Sequence, residues 1–264
     1  MAFKGIDWRR PWLAGLSALG EPLAACDDWM LKASELASQR GLVNDRDQPL
    51  SFVAQQNLPP DTPYEAYIAA TAMVPTRDNL HDFFNTLIWL YFPKTKRALN
   101  TLHARAMPLS AAEGTRGKQR DAATLFDENA ALFVSDDASL LDALREHQWA
   151  SVLMKHAFEF FRHADIMLFG HALIEKLVEP YKSITAHVWT VQVTPDWFAL
   201  PATHRLTDLD TRVAAMLQQG FSSADFCHLP VLGVPGWWPG QDAAFYADAE
   251  VFRPRRQSRI TQAS

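Results

Sequence analysis

The sequence predicts an α+β protein: one helix-rich domain with a small, mostly antiparallel sheet. Three observations carry this. Apolar residues fill 48% of the 264 positions and charged residues 21%, the balance of a globular chain able to bury a sizeable core. Residues 80–106 repeat apolar side chains at helical spacing. Ile184 to Val193 gathers Thr, Ile and Val in one short run, which reads as a strand. No repeat, low-complexity tract or Gly/Ser linker divides the chain. Residues 1–252 therefore read as a single globular domain and residues 253–264 as a flexible basic tail.

The elements follow in order. A helix is expected from Asp27 or Asp28 to Arg40, ended by Gly41. Leu50 to Ala54 and Tyr64 to Met73 read as extended segments, rich in aromatic and β-branched residues, paired around the loop 57–63. Helices follow at 80–92 and 94–106, with Pro93 in the first turn of the second. Ala123 to Val134 reads as a hairpin, because Asp127-Glu128-Asn129 is turn chemistry between two apolar runs. Asp136 or Asp137 should cap a helix over 139–149. Residues 150–180 fit either long helices or a helix–strand mixture. A helix over 208–219 stops at Gly220, and 221–264 reads as irregular, with many Pro and Trp. Its Pro235-Gly236-Trp237-Trp238 segment either packs on the core, the default for Trp, or covers a pocket.

The net charge of −5 excludes a globally basic nucleic-acid binder. The charge is uneven, however. Between Lys94 and Asp121 seven basic residues face two acidic ones, an island of +5 against −10 for the remainder. Such an island can concentrate an anionic ligand. Two cysteines fit a reducing compartment, and no apolar run is long enough to cross a membrane. Leu23-Ala24-Ala25-Cys26 looks like a lipoprotein cleavage box, but Glu21 and Pro22 interrupt the apolar stretch that an export signal needs. The expected location is cytoplasmic.

The helix at 80–92 carries the chemistry. Its apolar stripe is Leu80, Phe83, Phe84, Leu87, Ile88, Leu90 and Tyr91. The opposite face shows His81, Asp82, Asn85 and Trp89, with no Lys or Glu, and suits a pocket wall better than bulk water. On the next helix Lys96, Asn100 and His103 share one side. If the two faces meet, His81, Asp82, Asn85 and His103 form a catalytic set, with Asn100 binding ligand. Asp82 would orient His81 as a general base, or Asp82 and the histidines would hold a divalent metal. The structural alternative makes Asp82 a partner of the helix dipole and Asn79 an N-cap. A second candidate is Gly114 to Asp121, where two glycines accompany Arg116, Lys118 and Arg120. Arg116 and Arg120 would grip an anion and Asp121 would hold an arginine in place. His156, Glu159 and His163 share one helical face but read as solvated, and His171 with Glu175 reads as a local i, i+4 pair. No zinc-hydrolase, dinucleotide, Walker or nucleophile-elbow motif is present, and no motif names a cofactor.

Several strings resemble one uncharacterised bacterial family, the domain of unknown function 3025. They are Pro75 to Asp82 with Asn85, Trp89, Phe92-Pro93, Lys96 and Leu99-Asn100; Arg116 with Arg120-Asp121; Thr124 to Asn129; Phe169-Gly170-His171-Ala172 with Glu175-Lys176; and Leu229 to Trp237. The family has Gly where this chain has Ala130. The resemblance implies no activity, fold or ligand. The residues favour an enzyme or binding protein for a small anionic ligand, with phosphate-bearing compounds among the candidates. A nucleic-acid binder or nuclease acting through 94–120, and a non-enzymatic scaffold using the Trp-rich end, are the alternatives.

Overall fold

The computed structural model describes residues 3, 5–106, 115–154, 157 and 160–255, without the side chains of residues 106, 115 and 116. The order is α1 (Ala14–Ala24), α2 (Trp29–Gln39), β1 (Ser51–Ala54), α3 (Tyr64–Thr71), β2 (Met73–Thr76), α4 (Leu80–Tyr91), α5 (Pro93–Ala106), α6 (Thr115–Asn129) and β3 (Ala130–Ser135). It continues with α7 (Ala138–Arg145), a π-helical turn (Ala150–Met154), α8 (Phe160–His163), β4 (Ala164–Leu168), α9 (His171–Lys176), β5 (Thr185–Gln192), α10 (Ala202–Gln219), β6 (Cys227–Pro230) and α11 (Ala243–Tyr246). This is the expected helix-rich α+β architecture. No helix among the described residues is long and apolar enough to cross a membrane.

The main sheet runs β4-β3-β5-β6. β3 is antiparallel to β4 and parallel to β5, and β5 is antiparallel to β6. Every residue of β3 is buried, as its Ala-Ala-Leu-Phe-Val run requires of a central strand. β5 alternates at its start, with Ala186 and Val188 inward and Thr185 and His187 half-buried. Helix α6 lays Ala122, Ala123 and Phe126 against this sheet, and Phe126 stacks on Phe169 at 4.6 Å between ring centres. One continuous apolar cluster runs from the N-terminal helices through the sheet to Phe252.

Two expected extended regions are helical instead. Tyr64 to Thr71 forms α3, closed by Ala72 in the left-handed conformation at φ 58°. Strand β1 pairs with β2, which starts only at Met73, and the pair is parallel, with Ser51 opposite Met73. Parallel neighbours need a crossover rather than a hairpin, and α3 supplies it. Likewise 123–129 is the last part of α6, not half of a hairpin. The polar triplet 127–129 looks like a turn because its partners lie on other elements. Asp137, one of the two anticipated caps, accepts a hydrogen bond from Ser139 N at the start of α7. Helix α10 begins at Ala202, six residues earlier than expected, and the region read as irregular holds β6 and α11.

At the N-terminal end, Leu16 and Leu23 of α1 are buried, so the stretch that resembles a lipoprotein box is the end of a core helix. Trp12 Nε1 donates to Leu177 O. Trp237 packs on the core beside Trp12, with its loop braced by the Gln241 side chain, so it is not a cover over the basic island. Residues 256–264 of the expected tail lie outside the described residues.

The α4–α5 corner is sharp, with Pro93 as the first residue of α5. Its helix start is capped from a distance: Asp210 of α10 accepts from Lys94 N at 3.0 Å, Thr95 N at 2.9 Å and Thr95 Oγ1 at 2.8 Å. A carboxylate there satisfies orphan N–H groups and complements the dipole. Burial pushes the Asp210 carboxyl above its ordinary value, against the pull of those hydrogen bonds. Replacing Asp210 with Ala strands the donors, and the expected loss is about 2–3 kcal/mol in chemical denaturation. An unchanged unfolding midpoint would show that water caps α5 equally well.

Candidate functional site

Five helices enclose a polar column in an otherwise apolar interior. Its inner part is built by α3, α4, α5 and α6. Lys96 of α5 is only 5% exposed. Its Nζ donates to Asn85 Oδ1 at 2.9 Å and to both Asp127 carboxylate oxygens at 2.6 and 2.8 Å, and it lies 5.5 Å from the Trp89 ring centre. Asn85 Nδ2 donates to the Tyr64 hydroxyl, and Asn100 Nδ2 to Glu65 Oε2 at 2.5 Å. His103 is buried close enough to Glu65 and Asp127 to act on both electrostatically. Burial pushes the Glu65 carboxyl up. Burial also pushes Asp127 up, but Lys96, His171 and His103 overcome it, and the carboxyl sits below its ordinary value.

The outer part opens to solvent and contains three ligand-bearing side chains from three helices. His81 comes from the first turn of α4, Glu128 from the last turn of α6, and His171 from the first position of α9. His81 Nε2 lies 3.1 Å from His171 Nε2, and His171 Nε2 lies 3.4 Å from Glu128 Oε2. One ligand atom from each lies within 4.8 Å of the other two. Two donors bound at roughly 2.1 Å to one ion, at angles of 90–110°, stand roughly 3.0–3.4 Å apart. The two shortest separations match this edge length. His81 Nδ1 contacts Glu175 Oε2 at 3.0 Å, one helical turn beyond His171 on α9. A carboxylate on the far nitrogen of a ligating histidine fixes its tautomer and aims its other nitrogen into the site.

His171 is 3% exposed, and its Nδ1 has no hydrogen-bond partner. Burial pushes its imidazole down to about 4, with Lys96 and His81 adding to the shift and Asp127 opposing it. The ring is therefore neutral at pH 7, the form that ligates metal. Burial raises the Glu128 carboxyl, and the neighbouring Asp127 and Glu175 charges raise it further. The column holds four carboxyl groups (Glu65, Asp127, Glu128, Glu175) against one ammonium (Lys96).

The backbone brings α6 and α9 together at Gly170. A Cβ there would lie 2.4 Å from Ala130 N, 2.5 Å from Asn129 N and 2.6 Å from the Glu128 carbonyl carbon. Only glycine lets the start of α9 approach the end of α6 so closely. Gly170 N also donates to Ala130 O at 2.8 Å.

The expected residues fall into three groups. The faces of α4 and α5 do meet, and Asn85, Lys96, Asn100 and His103 enter the column. His81 reaches its outer edge. Asp82 does not orient His81: its carboxylate accepts from Arg77 N at 2.6 Å, Arg77 Nε at 3.0 Å and Arg77 Nη2 at 2.9 Å, while Asn79 caps its N–H. Adjacent helix positions diverge by about 100°, which turns Asp82 away. Glu175, distant in sequence, takes the role assigned to Asp82. The Gly114–Asp121 loop is also revised. Residues 115–121 are the opening turns of α6, so Arg120 and Asp121 are exposed helix residues outside the column. Gly114 and the Arg116 side chain lie outside the described residues, as do His156 and Glu159. His163 pairs with Asp136 at the surface. Glu128 was hidden by the turn-like triplet, and His171 and Glu175 by their spacing as a self-contained pair.

A family model described as protein of unknown function (DUF3025) matches residues 50–256, a stretch that contains every residue of the column. No curated protein and no solved structure matches the chain.

Gly170→Ala separates the two ligand-bearing helix ends by forcing backbone apart. The expected loss is about 1–3 kcal/mol in chemical denaturation, the usual range for overpacking. Wild-type stability in this variant would mean that the α6–α9 contact yields without strain.

Proposed function

We propose that this chain, which belongs to the family described as protein of unknown function (DUF3025), holds a divalent first-row transition metal on His81, His171 and Glu128 and acts as a metal-dependent enzyme on a small anionic substrate. The observation that carries the reading is the convergence of two imidazole nitrogens and a carboxylate oxygen from three helices, all within 4.8 Å, with two of the separations at the donor spacing of one ion.

Four protein ligands mark most structural sites, whereas three leave positions for water and substrate. A bound divalent ion supplies a water that ionises near neutral pH and a positive centre that attracts an anion. The protein supplies the rest. Glu175 holds His81 in place through Nδ1. The interior Lys96–Asp127 pair anchors the end of α6 next to Glu128. Arg77, more than half exposed and within electrostatic reach of Glu175, offers a cation near the open side. Two nitrogens and one oxygen suit zinc, iron, cobalt, nickel or manganese better than calcium or magnesium, which prefer all-oxygen shells.

Thermal unfolding of metal-stripped protein against a panel of these ions tests the reading. An ion at a hundredfold its dissociation constant should stabilise by about 2.7 kcal/mol. Glu128→Gln and His81→Ala should abolish the shift, and Glu175→Gln should weaken binding by roughly 10- to 100-fold, the usual effect of losing an outer partner. Stabilisation that persists in Glu128→Gln and His81→Ala, or no response to any ion, rules the centre out.

A further inference from the structure

We infer that the cleft between α5 and α10 binds a small organic phosphate, with Arg97 and Arg105 on the phosphoryl group and an apolar floor beneath the organic body. This site lies apart from the metal-binding column and does not depend on it. Helix α5 is two-faced. At 100° per residue, Lys96, Asn100 and His103 point into the column, while Lys94, Arg97, Ala98, Thr101 and Arg105 share the opposite side. That side forms one wall of a cleft of about 930 Å³, and Ala214 and Leu217 of α10 line the other. The volume is that of a site for a nucleotide-sized ligand.

The arginines mark where the anion sits. They are eight residues apart, roughly 12 Å along the helix, yet both heads converge on a single carboxylate. Arg97 Nε lies 3.9 Å from Asp45 Oδ1, and Arg105 Nη2 lies 3.4 Å from Asp45 Oδ2. Arg97 Nη1 is 3.6 Å from Asp47. These contacts are loose beside the tight pairs elsewhere, such as Lys96–Asp127 at 2.6 Å and Arg212–Asp208 at 2.6 Å. A phosphate brings nearly two charges and three acceptor oxygens to the same point, and guanidinium forks match it bidentately. It would therefore displace Asp45. Lys94, whose Nζ now donates to Thr211 Oγ1, supplies a third cation at the far end. Asp45 and Asp47 reduce the local excess to one positive charge, which suits a compact anion and opposes a long phosphate backbone.

Isothermal titration of the full chain with ADP and with pyrophosphate, in EDTA so that no metal bridges the ligand, tests the inference. ADP should bind more tightly than pyrophosphate, because only ADP covers the apolar floor. The double variant Arg97→Gln/Arg105→Gln should lose at least tenfold in ADP affinity. Both side chains are at the surface, and a wild-type melting temperature checks the fold. Asp45→Asn, which removes the competing carboxylate, should tighten ADP several-fold, and His81→Ala should leave it unchanged. The inference fails if millimolar ADP does not bind, if the double variant binds as wild type does, if Asp45→Asn weakens binding, or if His81→Ala abolishes it. It also fails if duplex DNA displaces ADP at equimolar concentration, which would make the cleft a nucleic-acid surface.

Discussion

The buried ion pair between Lys96 and Asp127 is the constraint on which the site depends. Removing two charges from water is costly, and the mutual attraction of the pair offsets this only where the remaining hydrogen-bonding capacity is filled. Here it is filled: Asn85 takes the third Lys96 donor, and Asn85 is itself held by Tyr64. Breaking such a pair from one side typically costs about 3–5 kcal/mol, because the partner stays buried and unpaired. The pair thereby locks three helices, α4 through Asn85, α5 through Lys96 and α6 through Asp127. Once Asp127 is pinned, the next residue, Glu128, has little freedom in direction.

Around that lock the outer residues are aimed by short-range sterics rather than by charge. Phe169 is packed between Phe92 and Phe126, which anchors the chain one residue before Gly170. Gly170 then lets α9 start against the backbone of Glu128 to Ala130. His171 therefore enters the site from the first turn of a short helix whose position is set by core packing. Glu175 follows one turn later and reaches His81 on α4. Charge supplies the lock and apolar packing supplies the direction, and each ligand comes from a different helix, so none can move without the core.

These causes explain what was legible in the sequence. The α4–α5 pair was readable because its apolar stripe and the meeting faces both lie within local periodicity, and Lys96, Asn85, Asn100 and His103 were found that way. Strand β5 was readable from its run of β-branched residues. Tyr64–Thr71 was not, because its aromatic residues favour a strand locally while the parallel β1–β2 pairing demands a helix between them. Asp127-Glu128-Asn129 had the composition of a turn; what makes it a helix end is a lysine 31 residues away and the packing of Phe126 on Phe169. Asp82 was favoured over Glu175 because proximity in sequence is visible and a contact across 94 residues is not.

The contact between His81 and His171 has a simpler explanation than the proposed cation, a shared proton. A proton on His171 Nε2 donated to His81 Nε2 would account for their 3.1 Å separation alone. Either occupant leaves His171 Nδ1 buried without a partner, as a bare acceptor beside a proton and as an N–H donor beside a cation, so that atom does not separate the two. A shared proton would leave Glu128 beside Asp127 with only Lys96 to balance them. An added proton on His171 itself is opposed by burial, which holds its imidazole near 4. A divalent ion would replace the shared proton and offset carboxylate charge at once. His81 and His171 would hold it through Nε2, with the His171 proton on Nδ1, and Glu128 would supply an anionic ligand. On the proposed reading, the facing imidazole nitrogens and the surplus of carboxyl groups would share one occupant.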